Sequence, residues 1–575
     1  MSSFTTRPVI MGRRAVIAAG HYLATFAGLR ILEQGGNAID AGVAAGFCLA
    51  VLEPQLNGIG GEVPILVYSA ARNKTYAING QGCAPRKATI EWFKAEGIDL
   101  IPGDGFLPAT VPGAFDSWIT VLREFGTMRL SEVLAPAVEL AENGFAMYSG
   151  LREALVSSSK RFAEQWPTSA ENFIPGGIVP DIGEVYRQPD WAATFKKVME
   201  AERTSGLDAA RDIFYKGEIA ERIAEFASST EVLDSTGKAR PGLISYDDLA
   251  SYETRIEDPA ATSYRGIEVF KCGPWCQGPV FLQQLNLLEG LDLKMMGHNS
   301  ANYVHAVIEC AKLAFADREA YYGDQAFDDV PLDVLLSKEY SDRRRLLVDP
   351  ENASADFIPG DVGRSPLPYD IRTAKVGDAD PTGDTTHLDV IDSDGNMFSA
   401  TPSGGWLVSS PVVKGLGFPL GTRGQMFFLD PRRPNALQPG KRPRTTLTPS
   451  LAMKDGKPFM AFGTPGGDMQ DQWTLQFFLN VADFGMGLQE AVDAPTFHTS
   501  HFPSSFYPRT MYPKRLVLEE RIPEVVRDEL RRRGHDLVVN GPWAHGRVLG
   551  VRIREDGLIE GAASPRMETG YAAGW

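Results

Sequence analysis

The residues best placed to do chemistry in this chain are Asp384-Thr385-Thr386-His387, because of what precedes them. Between positions 357 and 384 there are four prolines, four glycines and five aspartates, with hardly any apolar periodicity. Such a stretch reads as a long exposed loop. Loops of this length inside a compact protein are usually functional or disordered. Directly after it the pattern turns to strands: 385–392 and 396–401 flank an Asp394-Gly395 turn, a hairpin signal. A slack loop that delivers a threonine to a strand start suits a chain that cuts its own backbone before that threonine. The new α-amine, with a pKa of about 7.7–8.0, then serves as general base for the neighbouring hydroxyl. A threonine present only for its strand preference gives the same pattern, so at this level both readings stand.

Other elements must position that threonine. Residues 21–33 and 37–51 read as successive helices, the first ending at Gly35-Gly36. The second is rich in small residues (Ala38, Ala41, Gly42, Ala44, Ala45, Gly46), which permits close packing. A glycine-rich turn, Asn57-Gly58-Ile59-Gly60-Gly61, leads into a strand at 64–68; without a GK[ST] ending or a following helix, it is a weak phosphate signal. The middle, 110–350, reads as mostly helical, most clearly at 300–322, where Tyr303, Val307, Cys310 and Ala314 recur at helical spacing. Short strands are expected at 448–453, 458–463, 515–518 and 547–554, and a helix at 523–533.

Composition narrows the function classes. The chain has 575 residues, 43% hydrophobic and 23% charged, with 58 glycines and 39 prolines. These are globular values and exclude a disordered or fibrous chain. A net charge of −16 disfavours nucleic acid and anionic membranes as partners. Five cysteines are no disulfide framework; Cys272 and Cys276 are the only close pair. His498 and His501 read as loop histidines, and neither a metal nor another cofactor is implied. Arg13-Arg14 superficially resembles a twin-arginine leader, but the following apolar stretch reads as the first strand. With no run of eighteen apolar residues, a cytoplasmic location is the expectation.

The stretch TTHLDVIDSDGNMFSAT closely resembles the small-subunit start of the γ-glutamyltransferase family. So do ILEQGGNAIDAGVAAGFCLAVLEPQLNGIGG, FLPATVPGAFDSW, AKLAFADREAYYGD, KRPRTTLTPSLAMKDGKP, FGTPGGD and GAASPR, in the family's order. The resemblance implies an α/β fold, the four-layer αββα sandwich of N-terminal-nucleophile hydrolases, made as one precursor. It implies a cut between Asp384 and Thr385. That would leave a helix-rich large segment, 1–384, and a small segment, 385–575, intertwined as a non-covalent heterodimer, with further dimerisation left open. Thr385 would be the nucleophile, attacking the amide carbonyl of a small-molecule substrate. Thr386 and Ser403 would support it, and Gly466-Gly467 would form the oxyanion hole. Without the resemblance, Gly466-Gly467 is an ordinary turn.

Departures from the family pattern bear on the substrate. Gln81 stands where an arginine grips a γ-glutamyl α-carboxylate, Gly405 replaces an asparagine, and Phe427-Phe428 replace the acidic pair that receives the α-amine. Thr445-Thr446 replace a serine pair, and Glu62-Val63-Pro64 interrupt a glycine run. Arg444 and Arg423 are candidates for a substitute carboxylate contact. Phe427, Phe428 and Trp406 are expected to make the pocket apolar. These changes resemble the family's amidase-like branch, which includes enzymes acting on oxamate and on acylated β-lactam nuclei. A working γ-glutamyltransferase and an uncut scaffold protein are the rival readings. Cys83, near the expected pocket, reads as a buried thiol.

Overall fold

The computed structural model of the chain describes residues 4–363, 366–367 and 385–575. Two seven-stranded antiparallel sheets form its centre. One runs Ile10–Gly12, Ile559–Ala563, Leu549–Ile553, Lys457–Gly463, Ser450–Lys454, Ile267–Lys271, Ala260–Tyr264. The other runs Tyr571–Gly574, Ala15–Ala19, Leu388–Asp392, Met397–Ala400, Ile65–Ser69, Lys74–Asn79, Arg255–Glu257.

Alternation along the strands explains the layering. In Ala15–Ala19, Val16 and Ala18 face the other sheet, where they meet Leu549, Val551 and Ile559. Ile17 and Ala19 face the opposite way, into helices Tyr22–Glu33 and Ala38–Leu52. The outer face of the first sheet (Val269, Ala452, Phe462) is covered by Gly278–Glu289, Ala301–Tyr321 and Gln470–Ala482. With both faces of both sheets buried, the order of layers is helix, sheet, sheet, helix, the αββα sandwich. Each fully buried Val, Leu, Ile or Phe contributes about 1.5–3 kcal/mol.

Helix Ala38–Leu52 is buried along its entire length. Asn37 caps it: its side chain accepts from the Ile39 and Asp40 nitrogens, and Asp40 returns a bond to the Asn37 nitrogen. The small residues do what their size allows. A Cβ on Gly42 would meet the Phe398 ring at 2.4 Å, and one on Gly46 would meet Trp118 at 2.5 Å.

The fold differs from the sequence reading in two places. The first strand is two: Ile10–Gly12 and Ala15–Ala19 lie in different sheets. The chain crosses between them at Arg13 and Arg14, whose nitrogens donate to the Trp575 carbonyl. The mostly helical middle contributes three strands to the two central sheets, Arg255–Glu257, Ala260–Tyr264 and Ile267–Lys271. Their short alternating patterns are hard to see beside long helices. Asp384 and most of the 357–384 loop lie outside the described residues. Among those described, no helix is long and apolar enough to cross a membrane.

Candidate active site

Thr385 lies just before strand Leu388–Asp392, at the end of a sheet whose interior position holds it still. It is 1% exposed. Its backbone pairs with Ser403 across an isolated antiparallel bridge, and the two hydroxyl oxygens are 3.1 Å apart. Ser403 in turn accepts from the Arg423 Nη2 at 2.6 Å. The Arg423 Nε donates to Glu62, completing a buried row Thr385–Ser403–Arg423–Glu62. The guanidinium lies 5.0 Å from the Trp406 ring and 5.5 Å from Phe506. Burial pushes the Glu62 carboxyl up, with Arg423 pulling against it.

Glycines allow this row to assemble. A Cβ on Gly61 would lie 2.1 Å from the Ser403 carbonyl oxygen. Gly405 has φ +59°, and a Cβ there would lie 2.7 Å from the Gly61 nitrogen, so this backbone has no place for the family's asparagine. Gly466 (φ +133°) and Gly467 (φ +55°) form a turn ahead of helix Gln470–Ala482. Backbone N–H groups at a helix start suit an oxyanion.

Two loops are tied together by the segment Asp317-Arg318-Glu319. Arg318 holds Asp468, next to the glycine pair, at 2.5 Å. Glu319 holds both Arg318 and Arg444, the residue before Thr445-Thr446. Burial alone would raise the Glu319 carboxyl, but the Arg444 and Arg318 charges bring it down to about 2. Both arginines weighed as substitute carboxylate contacts are therefore engaged elsewhere: Arg444 with Glu319 and Ser505, Arg423 with Glu62 and Ser403.

Thr385 and Gly466 line a cavity of about 480 Å³. Its far wall comes from the small sheet Phe497–Thr499, Arg515–Glu519, Asp536–Asn540 and from Trp473 and His545. His545 stacks on Trp473 at 5.9 Å, and His498 meets His545 edge-on at 4.9 Å. Burial holds His545 down at about 4 and His498 well below its usual value, so both are neutral at pH 7. His498 is thus a strand residue of the cavity wall, not a loop histidine, whereas His501 is bonded to Asp356 and Lys514 in a loop. No local motif marks these wall residues, because three separate segments bring them together.

The substituted positions fall elsewhere. Gln81 donates to Thr445 at 2.6 Å, both fully buried. Phe427 and Phe428 line a separate cavity of about 250 Å³ with Arg433 and Arg509. The 3₁₀ turn Arg423–Met426 sends Phe427 into a cluster with Ala84, Leu107 and Leu437. Trp406 packs with Met426 and Phe506 around Arg423. None of the three lines the Thr385 cavity.

Thr386 is buried, and its hydroxyl meets the carboxyl of Glu53, the residue that caps helix Ala38–Leu52 at its C-terminal end. Burial raises Glu53 to about 7, against the Thr386 and Thr569 hydroxyls and the charge of Arg547. Cys83 is pushed up to about 11 by burial and does not line the Thr385 cavity. Among the described residues, His305, Glu309 and His535 have the spacing of a metal site. Both His305 nitrogens are already hydrogen-bonded, to His535 and the Asp349 carbonyl, and Lys312 pairs with Glu309.

Comparison with known proteins agrees with this geometry. A family described as Gamma-glutamyltranspeptidase matches residues 24–574. The glutathione hydrolase-like YwrD proenzyme of Bacillus subtilis (strain 168) is 32% identical over 562 residues, covering 97% of this chain and 98% of that protein. The solved structure of LmbA2991HD is 46% identical, with a TM-score of 0.95 and 100% of both chains covered. The cephalosporin acylase from Bacillus halodurans is 32% identical, with a TM-score of 0.85, covering 100% of this chain and 98% of that one. Agreement of sequence and fold over this length places the chain in the gamma-glutamyltranspeptidase family, as an amide hydrolase and acyltransferase of the N-terminal-nucleophile type.

Proposed function

We propose that the chain cuts itself between Asp384 and Thr385 and then cleaves a small-molecule amide whose acyl group is not γ-glutamyl. In maturation the Thr385 hydroxyl oxygen attacks the carbonyl carbon of residue 384. The peptide C–N bond breaks, the hydroxyl proton goes to the departing nitrogen, and water hydrolyses the resulting ester. In turnover the freed α-amine takes the hydroxyl proton as Thr385 attacks the substrate carbonyl. The leaving amine departs protonated, and water or a second amine removes the acyl group. Gly466 and Gly467 are the proposed oxyanion donors, at about 3–4 kcal/mol each in comparable sites.

The observation that carries this reading is the buried Thr385 hydroxyl, 3.1 Å from that of Ser403 and opening on the cavity it shares with Gly466. The acyl preference rests on the positions at which the family pattern reads the charges of a γ-glutamyl head. Gln81 supplies no cation, and Arg444 and Arg423 already hold carboxylates. A charged head group without a partner costs several kcal/mol. The cavity wall of Trp473, His498, His545, Phe502 and Tyr512 favours an aromatic or apolar acyl body. The cephalosporin acylase likeness supports the same choice. Arg547, which lines the same cavity along with Arg515, and the name of the YwrD relative favour a second reading, cleavage of γ-glutamyl amides.

Denaturing intact mass of the purified protein, beside Thr385→Ala, tests the first step. The 62.7 kDa chain is expected as pieces of roughly 42 and 21 kDa, scaled by length, the smaller starting at Thr385, with the variant uncut. An uncut parent would leave a scaffold protein instead. Aryl-acyl anilides should then be hydrolysed faster than γ-glutamyl anilide; the reverse order selects the second reading.

A further inference from the structure

We infer that Arg423, held by Glu62, is a positioning residue that orients the Thr385 hydroxyl through Ser403; this rests on Thr385 being the nucleophile. A guanidinium carries donors and no acceptor. Ser403 Oγ, 2.6 Å from the Arg423 Nη2, must therefore accept from it. Ser403 Oγ lies 3.1 Å from the Thr385 Oγ1, so holding Ser403 in place fixes the oxygen against which the Thr385 hydroxyl sits. The row runs from Glu62 through Arg423 and Ser403 to Thr385.

Charge strengthens the arrangement. Hydrogen bonds from an ionised donor are about twice as strong as neutral ones, and more so away from water. Arg423, Glu62 and Ser403 are each 1% exposed or less. Negative charge developing on the Thr385 oxygen therefore meets a cation one hydroxyl away. Stability does not account for the pair, since a buried ion pair contributes little beyond an apolar one of the same size. Glu62, after the glycine turn, is the charged group within ion-pair distance of Arg423 among the described residues. The Trp406 and Phe506 rings keep the guanidinium in place. Glu62 and Arg423 are 361 positions apart, so only the fold brings them together.

Self-cleavage supplies an assay that needs no substrate. The full chain is made by cell-free synthesis, and the rate of cutting is followed by denaturing mass. Arg423→Gln is expected to slow cutting about 10–100-fold, and Arg423→Lys, which keeps a charged donor, to restore most of the rate. Ser403→Ala should slow it comparably, and adding Arg423→Gln to Ser403→Ala should change the rate less than about twofold, because coupled residues do not add. A parental rate in Arg423→Gln, or full additivity with Ser403→Ala, overturns the proposal. Should Arg423→Gln fail to fold, the same cycle is run with Arg423→Met, which also removes the charged donor and where additivity is again the overturning result. A parent that never cuts removes the Thr385 reading itself, and this inference with it.

Discussion

Glu53 shows how burial without an ion pair becomes a measurable pH effect. Its carboxyl faces the Thr386 and Thr569 hydroxyls, and burial raises it to about 7, against a usual value of 4.5. Between those two values the unfolded chain gives up a proton that the folded chain keeps, so stability falls as pH rises through that window and levels off above about 7. Glu53→Gln, which imitates the protonated form, should match the parent near pH 4.5. It should exceed the parent by on the order of 3 kcal/mol above pH 7. Thermal unfolding of both across pH 4.5–8 checks this; a variant less stable than the parent at pH 8 would mean that Arg547 holds Glu53 ionised. Thr385, Thr386 and Ser403 were legible in sequence because a motif can be matched one position at a time. The partners that meet them, Glu53 and Arg423, were not: Glu53 lies hundreds of positions from Thr386, and Arg423, though only 20 positions from Ser403, is held there by Glu62, 361 positions away.

At the scale of elements, helix Ala38–Leu52 sets two effects against each other. Alanine is the better helix former by about 1 kcal/mol. The Cβ of Gly42→Ala, however, would meet the Phe398 ring at 2.4 Å, in a sheet that cannot retreat. Overpacking of this kind costs typically 1–3 kcal/mol. Gly42→Ala should therefore lose on the order of 1–2 kcal/mol, read as a lower denaturation midpoint, whereas a gain would show that Phe398 turns aside freely. The small-residue stripe was visible in sequence, but its partner was not. The Asp317-Arg318-Glu319 segment teaches the same lesson: the motif was plain, yet its effect is to bracket the Gly466 turn and the Thr445 loop through Asp468 and Arg444.

The whole molecule is built so that a cut at Thr385 need not part it. In the second sheet, Leu388–Asp392 and Met397–Ala400 lie between Ala15–Ala19 and Ile65–Ser69, and Tyr571–Gly574 closes the edge. The first sheet likewise places four strands from beyond Thr385 between Ile10–Gly12 and Ile267–Lys271. Separation would break ladders in both sheets and expose the core between them. The cut protein should therefore elute from size exclusion with both fragments in one peak and come apart only in denaturant. Two peaks in native buffer would contradict the interleaving.

Sequence alone determined the family, the sandwich, the threonine at the strand start and the helices and hairpin around it. The family rests on motifs matched one segment at a time, the sandwich is what that resemblance implies, and the helices and hairpin rest on local periodicity. Tertiary structure alone decided the cavity wall, the destinations of Arg444, Arg423 and Phe427, and the row that ends at Glu62. Those depend on which distant segments are neighbours. Buried charges must find partners wherever the fold brings them, so an arginine that sequence offers to a substrate can already be committed to a carboxylate elsewhere in the chain.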